Sequence, residues 1–216
     1  MNLEEYRRKF SEDDTPGWDA IAERLEQLYP GITPAHWAPS VPYALGGSQP
    51  LDGISSYRSM SGGIAHRHFV TFGFSSLYYN EAHLGAEFSN FGFELSFRLA
   101  ETDIGTDEPW WVGNLLQNLA RYVFQSKRWF ERLNYIPANG PIRADSDTLV
   151  TALVTERDPE LGTLDTPHGR VDFIQMLGIT QREYEALLEG RIACTDFMRA
   201  ESASNPLYIT RLDRGR

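Results

Sequence analysis

Residues 90–100 read NFGFELSFRLA, and the alternation in this stretch decides the fold class. Phe91, Phe93, Leu95, Phe97 and Leu99 occupy every second position. In an extended chain successive side chains leave opposite faces, so these five share one face and Glu94, Ser96 and Arg98 share the other. That pattern predicts a half-buried strand, with one face on a core and one toward solvent. A helix would scatter the same residues around its axis.

The flanking sequence extends this pattern. Residues 41–45, 54–60 and 66–74 are short, aromatic or β-branched runs separated by Gly, Pro, Ser and Asp, which predicts three more strands. Residues 149–155 and 170–177 add two, and 207–212 a last one. Helical spacing occurs in between. Trp18, Ile21, Ala22, Leu25, Leu28 and Tyr29 share one helix face, with Thr15 as a cap, Pro16 in the first turn and Pro30-Gly31 as the stop. Leu115, Leu116, Leu119, Ala120 and Val123 form the stripe of a second helix over about 111–124. Thr180 and Glu183 form a capping box for a third, through about Leu188, and a short helix is expected around Phe197. Residues 1–14 are mostly charged and are expected to be a loose tail, leaving 15–216 as a single domain. Strands and helices do not alternate regularly, so the expected class is α+β: a mixed, largely antiparallel sheet with flanking helices.

Composition narrows the function classes. The 216 residues include 41% hydrophobic and 12% aromatic side chains, enough for a substantial core. Thirty acidic and 20 basic residues give a net charge of −10. Such a chain is repelled by nucleic acid and by anionic membranes, so neither is an expected partner. Cys194 is the only cysteine, which excludes an intrachain disulfide and fits a reducing compartment. With no apolar leader and no 18-residue apolar run, a cytoplasmic protein is expected.

Catalytic motifs are incomplete. LGGSQPLDGISSYR, residues 45–58, is glycine-rich, but no lysine follows Gly47, and strand-like residues rather than a helix follow Gly53. Turns between strands account for it, with Asp52-Gly53 starting the second strand. His66 and His68 stand two apart on a strand, as a metal pair would, but no HExxH or CxxC spacing supplies further ligands. Ser55, Ser75 and Ser76 lack a nucleophile-elbow context. Cys194 has no basic neighbour to activate it. The carboxylate pairs Asp13-Asp14, Asp107-Glu108 and Asp158/Glu160 lie in polar segments and are expected to be solvated. Trp110-Trp111 enters a helix, as core or as an interface anchor. No cofactor, metal or catalytic residue is assigned.

Six segments, in order, carry a resemblance: residues 16–30 (PGWDAIAERLEQLYP), 45–58 (LGGSQPLDGISSYR), 66–78 (HRHFVTFGFSSLY), 91–100 (FGFELSFRLA), 114–126 (NLLQNLARYVFQS) and 158–180 (DPELGTLDTPHGRVDFIQMLGIT). Together they resemble the Suppressor of fused family, in its bacterial single-domain form. The resemblance implies a mixed α/β domain without catalytic activity. Its animal members hold a target peptide as an added strand in a cleft shared with a second domain, and its bacterial single-domain members look like immunity proteins against polymorphic toxins. By position, Tyr122 falls at a target-contacting residue. Asn134 falls where the animal form offers an acidic contact, within KRWFERLNYIPANG, residues 127–140, which departs from that pattern. The family often has Trp between two histidines where this chain has Arg67.

The expectation is therefore a non-catalytic protein-binding domain. The leading form is an immunity protein whose net −10 suits a cationic toxin domain. The alternatives are a scaffold that binds an extended endogenous peptide by strand addition, and a metal-dependent enzyme using His66 and His68.

Overall fold

The computed structural model describes residues 1–104, 108–144 and 146–216. In chain order the elements are α1 (Leu3–Lys9), α2 (Pro16–Leu28), β1 (Ala35–Trp37), β2 (Gly53–Ser59), β3 (His66–Phe72) and β4 (Phe88–Ala100). They continue with α3 (Trp110–Ser126), β5 (Tyr135–Pro137), β6 (Val150–Arg157), β7 (Thr163–Thr166), β8 (Gly169–Thr180), α4 (Gln181–Leu188) and α5 (Cys194–Ser204). All eight strands form one sheet in the order β1-β2-β3-β4-β8-β6-β5, with β7 paired to the start of β8. Every pairing is antiparallel except β4 with β8, which is parallel. The fold is the mixed, largely antiparallel α+β sheet expected.

The opening stretch forms the middle of this sheet. Phe93, Leu95, Phe97 and Leu99 pack beneath the α3 stripe of Val112, Leu116, Leu119, Ala120 and Val123. Full burial of such side chains is worth about 1.5–3 kcal/mol each. The opposite face is covered as well. There α2 sets Ile21, Leu25 and Tyr29 on Val70, Phe72 and Phe173. Beside it, Leu187 of α4 and Met198 of α5 cover Ala152, Val154, Leu177 and Ile179. The expected half-buried strand is thus buried on both faces, and Glu94, Ser96 and Arg98 are fully inaccessible.

A buried polar system fills the space beside α2. Arg98 donates through Nη1 and Nη2 to the two oxygens of Asp158 (2.8 and 3.2 Å), and through Nη2 to Glu160 (2.8 Å). Gln175 accepts a further bond from Arg98 Nη1 and anchors the 207–208 carbonyls through its own amide (2.7 and 2.9 Å). Asp158 also accepts from Ser96 Oγ (2.7 Å), His68 Nε2 (3.0 Å) and the backbone N–H groups of Glu160 and Leu161 (both 2.9 Å). The Asp158/Glu160 pair is therefore the reverse of the expected solvated loop charge. An arginine can be buried here because paired carboxylates surround it.

Other differences have local causes. Residues 41–45 form a turn with a short 3-10 segment, not a strand, ended by left-handed Gly46 (φ 91°). The neighbouring strand is β1, three residues long. Residues 207–212 make only a single bridge, Leu99 with Thr210. Thr15 sits at the start of α2, but its hydroxyl donates to Asp19 instead of capping a backbone N–H. The Thr180–Glu183 capping box is present. Within the expected loose tail, α1 carries its own capping box, Asn2 with Glu5, and buries Tyr6 completely.

Candidate protein-interaction site

Strand β5 lies at one end of the sheet order and, among the described residues, pairs only with β6. Its outer edge is a template for an added strand. The edge is short, and Pro137 has no N–H to donate, so an added strand gains few main-chain bonds and side-chain contacts must supply the rest.

Two side chains touch the loop that leads into β5. Helix α3 runs across the sheet and ends at Lys127, which takes the left-handed conformation usual for glycine (φ 59°). Tyr122, on its last turns, is 45% exposed and stacks on buried Phe130 (ring centroids 5.9 Å apart, 23° between planes). Asn134 immediately precedes β5. Its side-chain oxygen accepts from the Glu131 N–H (2.9 Å), its backbone N–H donates to Thr155 Oγ1 (2.9 Å), and its carbonyl accepts from the Thr155 N–H (2.9 Å). Only the Nδ2 donors are left to a partner, where an aspartate would offer an acceptor. Tyr122 thus contacts the 127–133 loop through Phe130, and Asn134 contacts it through Glu131.

On the inner side of that loop a cavity of about 760 Å³ opens between the loop and the first half of β4. It exists because β4 and β8 part company. Their register runs from Phe88↔Arg170 to Phe93↔Asp172, so four β4 residues stand against one β8 residue. Left-handed Asn90 (φ 53°) and Gly92 (φ 80°) carry the chain through this bulge. Phe88, Phe91, Phe93 and Phe130 line the apolar wall, and Trp129, 57% exposed, stands at the rim. Nothing in the residue pattern exposes this cavity, since its walls come from four separate segments.

The remaining sequence candidates do not assemble a reactive centre. His68 is buried with both ring nitrogens engaged. Nε2 must donate to the Asp158 carboxylate, so Nδ1 accepts from Tyr29 Oη (2.7 Å). Burial, then the neighbouring Arg98 charge, pushes its pKa down to about 4. His66 is also buried, and its Nδ1 bonds the Ile64 carbonyl (2.7 Å). Among the described residues no three His, Cys, Asp or Glu side chains are placed to hold a metal ion. Ser75 donates to Glu94 (2.6 Å), and half-buried Cys194 has its thiol pKa raised by burial and by Glu156. Trp111 packs on the core while Trp110 is exposed. Glu108 pairs with Arg67 (2.8 Å), and Asp107 lies outside the described residues. No described helix is long and apolar enough to cross a membrane.

The chain matches the family model described as Suppressor of fused protein over residues 47–215. It is 35% identical over 213 residues to the Suppressor of fused homologs of Mus musculus and Homo sapiens, covering 92% of this chain and 43% of each relative. The chain therefore spans less than half the length of these relatives. Among solved structures, a chain of the Sufu-Fu complex superposes with a TM-score of 0.81 at 32% identity, over 94% of this chain and 93% of that one. Drosophila Suppressor of Fused superposes with a TM-score of 0.83 at 33% identity, over 95% of this chain and 52% of that one. A Neisseria gonorrhoeae homolog shares the fold alone, with a TM-score of 0.58 at 12% identity over 92% of this chain and 95% of that one. Family model, relatives and fold agree, and the chain belongs to the Suppressor of fused family.

Proposed function

We propose that this chain is a non-catalytic binding protein that captures an extended segment of a partner protein at the outer edge of β5, with Tyr122 and Asn134 as contact residues. The observation that carries this reading is the edge strand β5, paired with β6 alone among the described residues, entered from a loop that the exposed Tyr122 ring and the Asn134 amide both contact. A solved relative is described as part of a Sufu-Fu complex, so binding another protein is a property of the family. In this reading the partner is the toxic domain of a polymorphic toxin, and the chain is the bacterial, cytoplasmic immunity protein that neutralises it. A net charge of −10 would speed encounter with a cationic toxin domain.

If a toxin domain is encoded beside this chain, co-expression of the two tests this. Cells making both proteins should survive and yield a co-purifying complex, and Tyr122→Ala should weaken that complex at least tenfold. Death of cells in which this chain is well expressed and folded would overturn the immunity reading.

A further inference from the structure

The cavity beneath the 127–133 loop has a charge opposite to that of the molecule. Lys127, Arg132, Arg157 and Arg170 line it, against Glu131 and Asp172 alone among acidic residues, in a chain of net −10. The carboxylates cancel this charge only in part. Glu156 takes up Arg132, and Asp172 stands 3.7 Å from Arg170 while accepting a bond from Thr163 (2.7 Å). Glu131 accepts from the Trp129 indole (3.0 Å). Among the described residues, Lys127 and Arg157 have no carboxylate within ion-pair distance.

Two of the four cations lie against the apolar wall. The Arg170 guanidinium lies 4.5 Å from the Phe88 ring centroid, and the Lys127 ammonium 5.7 Å from that of Phe91. A ligand entering here meets an aromatic floor with cations at its margins. That arrangement fits an apolar side chain flanked by carboxylates.

We infer that this groove is a second contact surface, which receives an acidic segment of a protein partner carrying an aromatic or aliphatic anchor. The anchor fills the space between Phe88, Phe91 and Phe130, and its flanking carboxylates pair with Lys127 and Arg157. The inference rests on the protein-binding reading above, but on neither the identity of the partner nor the β5 edge. It adds a local selectivity that the net charge does not contain, because net charge acts at long range and the groove at contact.

Selection of random dodecapeptides displayed on phage against the full chain tests it. Selected peptides should be enriched at least twofold in Asp and Glu around an aromatic or large aliphatic residue. A synthetic peptide of that consensus should change Trp129 fluorescence on binding. The exposed-site double variant Lys127→Glu/Arg157→Glu should bind it at least tenfold more weakly, with an unchanged thermal midpoint. A version of the peptide with lysines in place of its acids should recover binding to that double variant. Peptides without charge bias, basic peptides, or acidic peptides that the double variant still binds would overturn the assignment. So would binding of oligo-dT12 that the double variant loses, which would give the groove to nucleic acid. Toxin rescue does not depend on this selection, so the two readings can fail separately.

Discussion

Protonating His68 places a hydrogen on Nδ1, the atom that accepts from Tyr29 and stands 3.3 Å from the Arg98 guanidinium. The folded chain resists this, which is why its pKa falls to about 4. A group whose folded pKa is depressed contributes its full stability above the unfolded value of about 6.5 and loses it as pH falls toward the folded value. His68 alone is therefore worth about 3 kcal/mol of lost stability between those limits. His66 and His168, also depressed by burial, add to the same window. Asp158 is held well below the usual carboxylate range despite its burial, by His68, Arg98 and backbone N–H groups. Its contribution is lost only below about pH 4. Urea unfolding across pH 4–7 should show a steep acid limb that His68→Gln flattens, since glutamine can donate to Asp158 and accept from Tyr29 without titrating. An unchanged limb in that variant would contradict the assignment. At this scale the sequence was legible only in part. Alternation located the residues of β4 that face away from α3, but a period of two says that the faces differ, not that one is wet. Arg98 finds Asp158 sixty positions away, and no local pattern records that distance.

Among the elements, α1 shows what a charged composition conceals. One residue, Tyr6, docks the helix. Its hydroxyl donates to His168 Nε2 (2.7 Å) and accepts from the Asn80 N–H (3.1 Å), while His168 Nδ1 donates to the Ser76 carbonyl (2.9 Å). Tyr6→Phe keeps the ring and leaves two polar groups unpaired, at a cost of about 1–3 kcal/mol. Amide exchange should accelerate through residues 3–9 in this variant, and exchange unchanged from wild type would contradict the docking. The long elements were legible because their apolar periods run for many residues, as in α3 and β4. Strands β1, β5 and β7, of three or four residues, are too short for a period to emerge. Residues 41–45 have strand-like composition, but Pro42 and left-handed Gly46 turn the chain there. The candidate site was legible only through the family resemblance, which pointed to Tyr122 and Asn134. The bulge that opens the cavity depends on how two distant strands pair.

Across the whole molecule, a sheet buried on both faces leaves its ends and its surface loops as the places where a partner can act. One end is β5, entered from the 127–134 loop, and the basic groove is lined by residues of the same loop. In the proposed function a partner is captured there. Hydrogen–deuterium exchange, run on the chain alone and with a protein that co-purifies with it, decides whether a partner is captured there. Capture at this edge gives new protection in residues 127–137, which span the loop and β5. Protection confined to the β1 edge or to α4 and α5, or no complex at all, would contradict it.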